Sequence, residues 1–312
     1  MNIHEKHLGD LQRLLKKEGL DALVISGLLE QDFLTGFRMD GYILLVSRDE
    51  AWAFMPKMLL EQFRSKVSFV NASAPDNILE AVVSRVRESK LRRTAFEPGT
   101  ETYLRGSFWK KNGFVERGGL TALLRSVKEG EEIAILRRSC HIAARAFALV
   151  KPRIKAGRTE LSVSRELDEV MRAMGAKGPS FDLIVGFGPD SALPHHQSSD
   201  RPLRKNSAVL LDFGCVYNGY CSDITRTYFY GKPDPEFKKV YSIVEQAQKA
   251  GVKKVKAGVR ACDVDKACRD HITDAGFGQY FIHGTGMAWG WRYTSPPGLL
   301  SSHGRSCARA WQ

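Results

Sequence analysis

Ala208 to Tyr217 reads AVLLDFGCVY and Tyr220 to Tyr230 reads YCSDITRTYFY, with Asn218-Gly219 between them. Asn-Gly flanked by apolar runs is the strongest short signal for a two-residue hairpin. Such a turn pairs Tyr217 with Tyr220, and counting back sets Asp212 opposite Thr225. Side chains alternate faces along a strand, so Asp223 shares a face with Thr225. Asp212 and Asp223 are then diagonal neighbours, with backbones roughly 6–8 Å apart, and their carboxylates can converge. Aspartate is disfavoured in strands, and a buried charge needs a partner. Two like charges held close together raise a pKa or recruit a cation. A pair of divalent ions about 3.5–4 Å apart, bridged by carboxylates, would remove the conflict. The spacing leaves two other readings open: aspartates solvated on the wet face of a hairpin, or one carboxylate neutralised by Arg226.

Upstream of the hairpin the chain alternates helix and strand signals. Leu8, Leu11, Leu14 and Leu15 share one helical face, and Gly19 stops it. Asp21–Ser26 (DALVIS) reads as a buried strand, and Gly41–Ser47 with Ala51–Met55 reads as a hairpin. Helices are expected near Lys57–Arg64 and Asn77–Glu88, and short strands near Val67–Val70 and Thr94–Phe96. This alternation predicts an α/β domain ending near residue 125. A charged helical stretch follows over Lys128–Ile154, with Glu129, Glu131 and Glu132 placed to favour its start and Pro152 to kink or end it. Thr159 caps a helix over Glu160–Met174, and two more are expected near Pro235–Val255 and Asp263–Ala275. No internal repeat is evident.

The bulk numbers bound the function classes. The chain has 312 residues, 43% hydrophobic and 26% charged, which suits two folded domains. Its formal net charge is +12, but lysine and arginine are scattered and no basic stripe interleaves with aromatics. Solvated faces explain that charge better than nucleic acid does. None of the six cysteines forms a CxxC pair, so free thiols in a reducing compartment are expected. The polar start, Met1–Asp10, has no signal core, and no apolar run approaches membrane-spanning length. A cytoplasmic protein without a membrane partner is expected.

Two histidine-bearing segments flank the hairpin: Ala192-Leu193-Pro194-His195-His196 before it and Phe281-Ile282-His283-Gly284-Thr285-Gly286 after it. Each is a weak signal alone. Together, Pro179–His196 (PSFDLIVGFGPDSALPHH), Leu210–Thr227 (LLDFGCVYNGYCSDITRT) and Phe281–Gly286 (FIHGTG) resemble the pita-bread metallopeptidases, which include aminopeptidase P and Xaa-Pro dipeptidase. Gly19–Phe37 (GLDALVISGLLEQDFLTGF) is similar to that family's creatinase-like N-terminal domain.

The resemblance implies an α/β N-terminal domain over residues 1–125 and an α+β pita-bread domain over 126–286, incomplete at its end. It implies a metal-dependent peptidase acting on Xaa-Pro bonds in proline-containing peptides. Asp212 would bind one metal with both oxygens, and Asp223 would bridge two. The two divalent ions would be manganese, cobalt or zinc, with a bridging hydroxide as the nucleophile; hard carboxylate ligands suit manganese. His195 and His283 would bind and protonate around the scissile bond. A homodimer is also implied. Two other functions share the motifs: a pita-bread protein retained only for binding, and a creatinase-like hydrolase that works without metal.

The pattern fails after Gly286. In the family a metal-binding histidine comes next, and two glutamate ligands come later; here Met287 stands in the histidine's place, and residues 287–312 contain no Asp or Glu. A one-base shift of reading frame would account for this; a real, divergent tail is the other reading. Codons for a family-like His-Gly-Leu-Gly-Leu-Glu-Val-His-Glu-Pro, with one base deleted, translate as the sequence of Met287–Pro296. The expectation is an aberrant tail over 287–312, lost closing strands, poor stability and impaired activity.

Overall fold

The computed structural model describes residues 2–286, and the expectation of an aberrant tail over 287–312 lies outside them. The chain divides into two compact units, Met1–Arg125 and Ser126–Gln312.

The first unit runs α1 (Ile3–Lys17), β1 (Ala22–Ile25), α2 (Leu28–Thr35), β2 (Ile43–Ser47), β3 (Ala51–Phe54), α3 (Lys57–Lys66), β4 (Asn71–Ser73), α4 (Ile78–Glu88), β5 (Thr94–Phe96), α5 (Tyr103–Lys111), β6 (Val115–Glu116) and α6 (Leu120–Ser126). Its six strands form one sheet in the order β4-β3-β2-β1-β5-β6. The expected α/β class follows from the pairing: β1 runs parallel to β5, and β3 to β4, across helical connections. β1 and β2 are buried at every position, so they read as apolar runs rather than alternations. The strand expected near Val67–Val70 is corrected to Asn71–Ser73. Val67 and Val70 are buried, and that run records packing rather than strand pairing. Helix α2 was not legible, because Leu28–Thr35 carries polar side chains that are themselves buried, including Glu30, Gln31 and Asp32.

The second unit contains α7 (Gly130–Val150), α8 (Glu160–Ala173), β7 (Gly178–Pro179), β8 (Ile184–Phe187), β9 (Ser207–Phe213), β10 (Cys215–Tyr217), β11 (Tyr220–Cys221), β12 (Ile224–Tyr230), α9 (Pro235–Lys254) and α10 (Ala261–Asp274). α7 starts with a full capping box between Glu129 and Glu132, and Pro152 turns its end into a short 3-10 segment. α8 is capped by the Thr159 hydroxyl and buries Val163, Leu167 and Met171 on one stripe. That stripe joins Ile142, Ala146 and Val150 of α7 and Val209, Leu211 and Phe213 of β9 in the unit's main core.

The helix pairs α7–α8 and α9–α10 share some turn signals. Lys155-Ala156-Gly157 precedes α8 and Lys256-Ala257-Gly258 precedes α10, and both helices have 14 residues. Gly175 and Gly276 follow them with positive φ of 97° and 87°.

Candidate metal centre

The hairpin is one continuous antiparallel register. Tyr217 pairs with Tyr220, and Asp212 pairs with Thr225, as the Asn-Gly turn requires. It is nonetheless split between two three-stranded sheets, β11-β10-β7 and β12-β9-β8. The split falls at Gly214 on one side and at Ser222-Asp223 on the other, outside the named strands. Ser180 pins it: its N–H donates to the Gly214 carbonyl (3.2 Å) and its hydroxyl to the Ser222 carbonyl (2.7 Å). A Cβ on residue 214 would collide with the Ser222 carbonyl oxygen, so only glycine allows this approach. Asp223 thus sits at a break in the ladder, where its side chain is free of strict alternation.

The two carboxyls meet. Asp212 and Asp223 share a side-chain hydrogen bond, and the Thr225 hydroxyl donates to Asp212 Oδ1 at 2.8 Å. Burial first, and the neighbouring Asp212 carboxylate second, raise the pKa of Asp223 to about 6. Burial also raises Asp212, opposed by its hydrogen bonds from Thr225 and Asp223 and by the charge of His195. Both aspartates are half-buried, so they are not solvated on a wet face. Arg226 does not neutralise them. It pairs with Leu211, which puts it on the core-side register of the strand, and its guanidinium donates to the Thr225 carbonyl at 2.9 Å.

The sheet face that carries Asp212 and Thr225 also carries Ile184 and Gly186 of β8 and Leu210 of β9 by alternation. Gly186 lets the 3-10 turn Gly188–Ala192 lie close on β8: a Cβ there would stand 2.9 Å from the Asp190 carbonyl oxygen. The chain then returns across the sheet and brings His195, which is exposed, near enough for its charge to act on Asp212.

His283 is placed elsewhere in the unit. Its ring meets Phe281 edge-on at 4.8 Å, and its Nδ1 lies 2.9 Å from the Gly284 carbonyl. Its loop is held by α10: Arg269 donates to the carbonyls of Phe281 and His283, and Asp265 accepts from the N–H and hydroxyl of Thr285. Among the described residues no contact joins His283 to either aspartate. The structure therefore gathers Asp212, Asp223 and His195, and leaves His283 on a separate loop.

A second carboxylate cluster was not foreseen. Glu160, Asp190 and His196 offer ligand atoms within 4.8 Å of one another. Those oxygens are already committed. Fully buried Glu160 accepts from Phe187 N–H, Ser199 N–H, the Ser199 hydroxyl and His196 Nε2, at 2.8–2.9 Å. Asp190 pairs with Arg201. A carboxylate with four donors has no call for a cation. The Asp212–Asp223 pair differs: two acids share one hydrogen bond, ionisation is penalised, and no cationic side chain bonds to either among the described residues. Its donor chemistry fits a hard divalent cation.

Residues 134–307 match the family described as metallopeptidase family M24, and residues 8–127 match the creatinase/prolidase N-terminal domain. An uncharacterised peptidase of Bacillus subtilis is 33% identical over 299 residues, covering 94% of this chain and 84% of that protein. The Xaa-Pro dipeptidase of Pyrococcus furiosus is 31% identical, covering 92% of this chain and 82% of its own length. Among solved structures, the Xaa-Pro dipeptidase from Bacillus anthracis superposes with a TM-score of 0.90 at 34% identity, over 97% of this chain and 86% of that one.

Proposed function

We propose, since the chain belongs to metallopeptidase family M24 and carries that family's creatinase/prolidase N-terminal domain, that it hydrolyses Xaa-Pro peptide bonds at the Asp212–Asp223 centre. The observation that carries this reading is the shared hydrogen bond between two half-buried carboxyls, with Asp223 raised to about 6. Asp212 and Asp223 would hold two divalent ions, manganese by preference and cobalt or zinc otherwise. When bound, such ions supply a water acidic enough to ionise near neutral pH and a Lewis acid for the carbonyl. Thr225 fixes the orientation of Asp212 through its hydroxyl. His195, exposed and near enough for its charge to act on Asp212, would bind the substrate and hold or donate a proton at its imidazole. His283 would join it once its loop approaches the substrate, and the protein would act as a cytoplasmic homodimer.

The same proposal includes a weakened centre. Met287 offers a thioether where the resemblance calls for an imidazole. Thioether sulfur is a poor ligand for a hard cation. The test is manganese titration by calorimetry beside an assay with an Xaa-Pro dipeptide, on this chain and on a version with the shifted frame restored. Weak manganese binding here, strong binding and hydrolysis in the restored chain, and loss of both in Asp223→Asn are expected. Tight binding of two ions by the present chain would refute the weakening; metal-independent hydrolysis would refute the centre.

A further inference from the structure

Glu160 stands at the first position of α8, just after the Thr159 cap, and its side chain has no exposed surface. A buried carboxylate is costly unless its lone pairs are filled. Here they are filled from one loop. Oε1 accepts the Phe187 N–H at 2.8 Å, at the point where the chain leaves β8. Oε2 accepts His196 Nε2 at 2.8 Å, Ser199 N–H at 2.9 Å and the Ser199 hydroxyl at 2.8 Å, where the chain comes back. The returning strand is fastened to the same helix start, since Glu160 N–H donates to the Arg201 carbonyl and Leu161 N–H to the Ser199 carbonyl. Everything between Phe187 and Ser199 is an excursion whose two ends are tied to one side chain. His195 lies on that excursion, next to His196, whose ring is the third tie.

We propose that Glu160 is the positioning residue for His195: its buried carboxylate closes the Phe187–Ser199 loop and, through His196, holds the His195 imidazole beside Asp212. This rests on the reading of His195 as a residue of the peptidase site. It also gives the Glu160–Asp190–His196 group a role that needs no ion. The second tie of the cluster is consistent: Asp190 is held by Arg201, so the 3-10 turn is fastened to the returning strand as well.

The test is NMR on the full chain without added metal, with labelled histidine and amide exchange read together, and a melting temperature for each variant. In the wild type, Asp212→Asn should shift the His195 ring resonances. In Glu160→Gln the Phe187 and Ser199 amides should exchange about 30- to 100-fold faster, as loss of charge-assisted hydrogen bonds implies. The response of His195 to Asp212→Asn should vanish in the same background. A lower melting temperature with the response intact overturns the proposal, because that is what a purely structural Glu160 would give. Unchanged amides overturn it too. If Glu160→Gln does not fold, His196→Gln decides: it keeps the carboxylate and the other three donors, and must weaken the His195 response, while full retention overturns the proposal. Neither readout requires turnover. If the frame-restored chain fails to hydrolyse Xaa-Pro substrate while the present chain shows the His195 response and its loss, the peptidase reading fails and the loop assignment stands.

Discussion

The helix pairs α7–α8 and α9–α10 share some turn signals and end in different physical states. Each has a long first helix, a Lys-Ala-Gly turn and a second helix of 14 residues. α7–α8 is packed against strands, and Val163, Leu167, Met171, Ile142 and Phe213 are all fully buried together. In α9–α10 the buried set is Ala247, Cys268 and Ile272, with Tyr241, Val244 and Val252 of α9 at 44%, 51% and 63% exposure. Caps and periodicity make a helix form; the apolar face has to be covered before the helix contributes stability. The pair with a sheet against it carries the fold, and the other pair, among the described residues, is held chiefly by itself.

That contrast can be broken experimentally. Leu167→Ala should cost about 2–5 kcal/mol in urea unfolding, with the loss felt across the whole second unit, because the site is fully buried. A loss below about 1 kcal/mol would mean that the α8 stripe is not the core. Ile272→Ala in α10 should cost less, and should show as faster amide exchange confined to residues 235–274 rather than as a shift of the global midpoint. A global shift would make the two pairs one cooperative body.

The carboxylate pair sharpens the same comparison, since it rides on the sheet that α8 packs against. Asp223 ionises in the folded state only near pH 6, above the ordinary aspartate value of 3.8. A raised acid binds its proton more tightly when folded. Its contribution is therefore present below about pH 3.8 and lost as pH rises through 6. In metal-free protein, Asp223→Asn should match the wild type near pH 4 and melt higher at pH 7, with the gap opening between those values. Manganese should raise the present chain only slightly, in keeping with weak binding, and leave Asp223→Asn unmoved; a gap that is flat with pH would remove burial as the cause. The smallest effect is expected from Val244→Lys on the exposed side of α9, within about 0.5 kcal/mol of the wild type.

Much of this was legible in the chain. The Asn-Gly turn fixed the hairpin register to the residue, because a two-residue loop leaves no freedom in the pairing. Helix starts were legible at Asn77 and Thr159, where a side chain caps them, but not at Thr102, whose hydroxyl caps α5. α2 was hidden because its polar residues are buried by the fold rather than by their own pattern. The split in the hairpin was hidden because Gly214 looks like any strand glycine until Ser180, far upstream, is brought against it. Glu160 was hidden for a similar reason. At a helix start an acid already has an explanation in the helix dipole, and nothing local shows that its partners are Phe187, His196 and Ser199.

Gly214 sets a hazard for anyone sorting related sequences by their ligands. A variant with alanine there would keep Asp212, Asp223, His195 and His283, and would pass every motif inspection. The added methyl group would nevertheless prise the Ser222 carbonyl away and swing Asp223 out of reach of Asp212. Competence at this centre is spelled partly by an atom that must be missing, and a catalogue of side chains has no column for it.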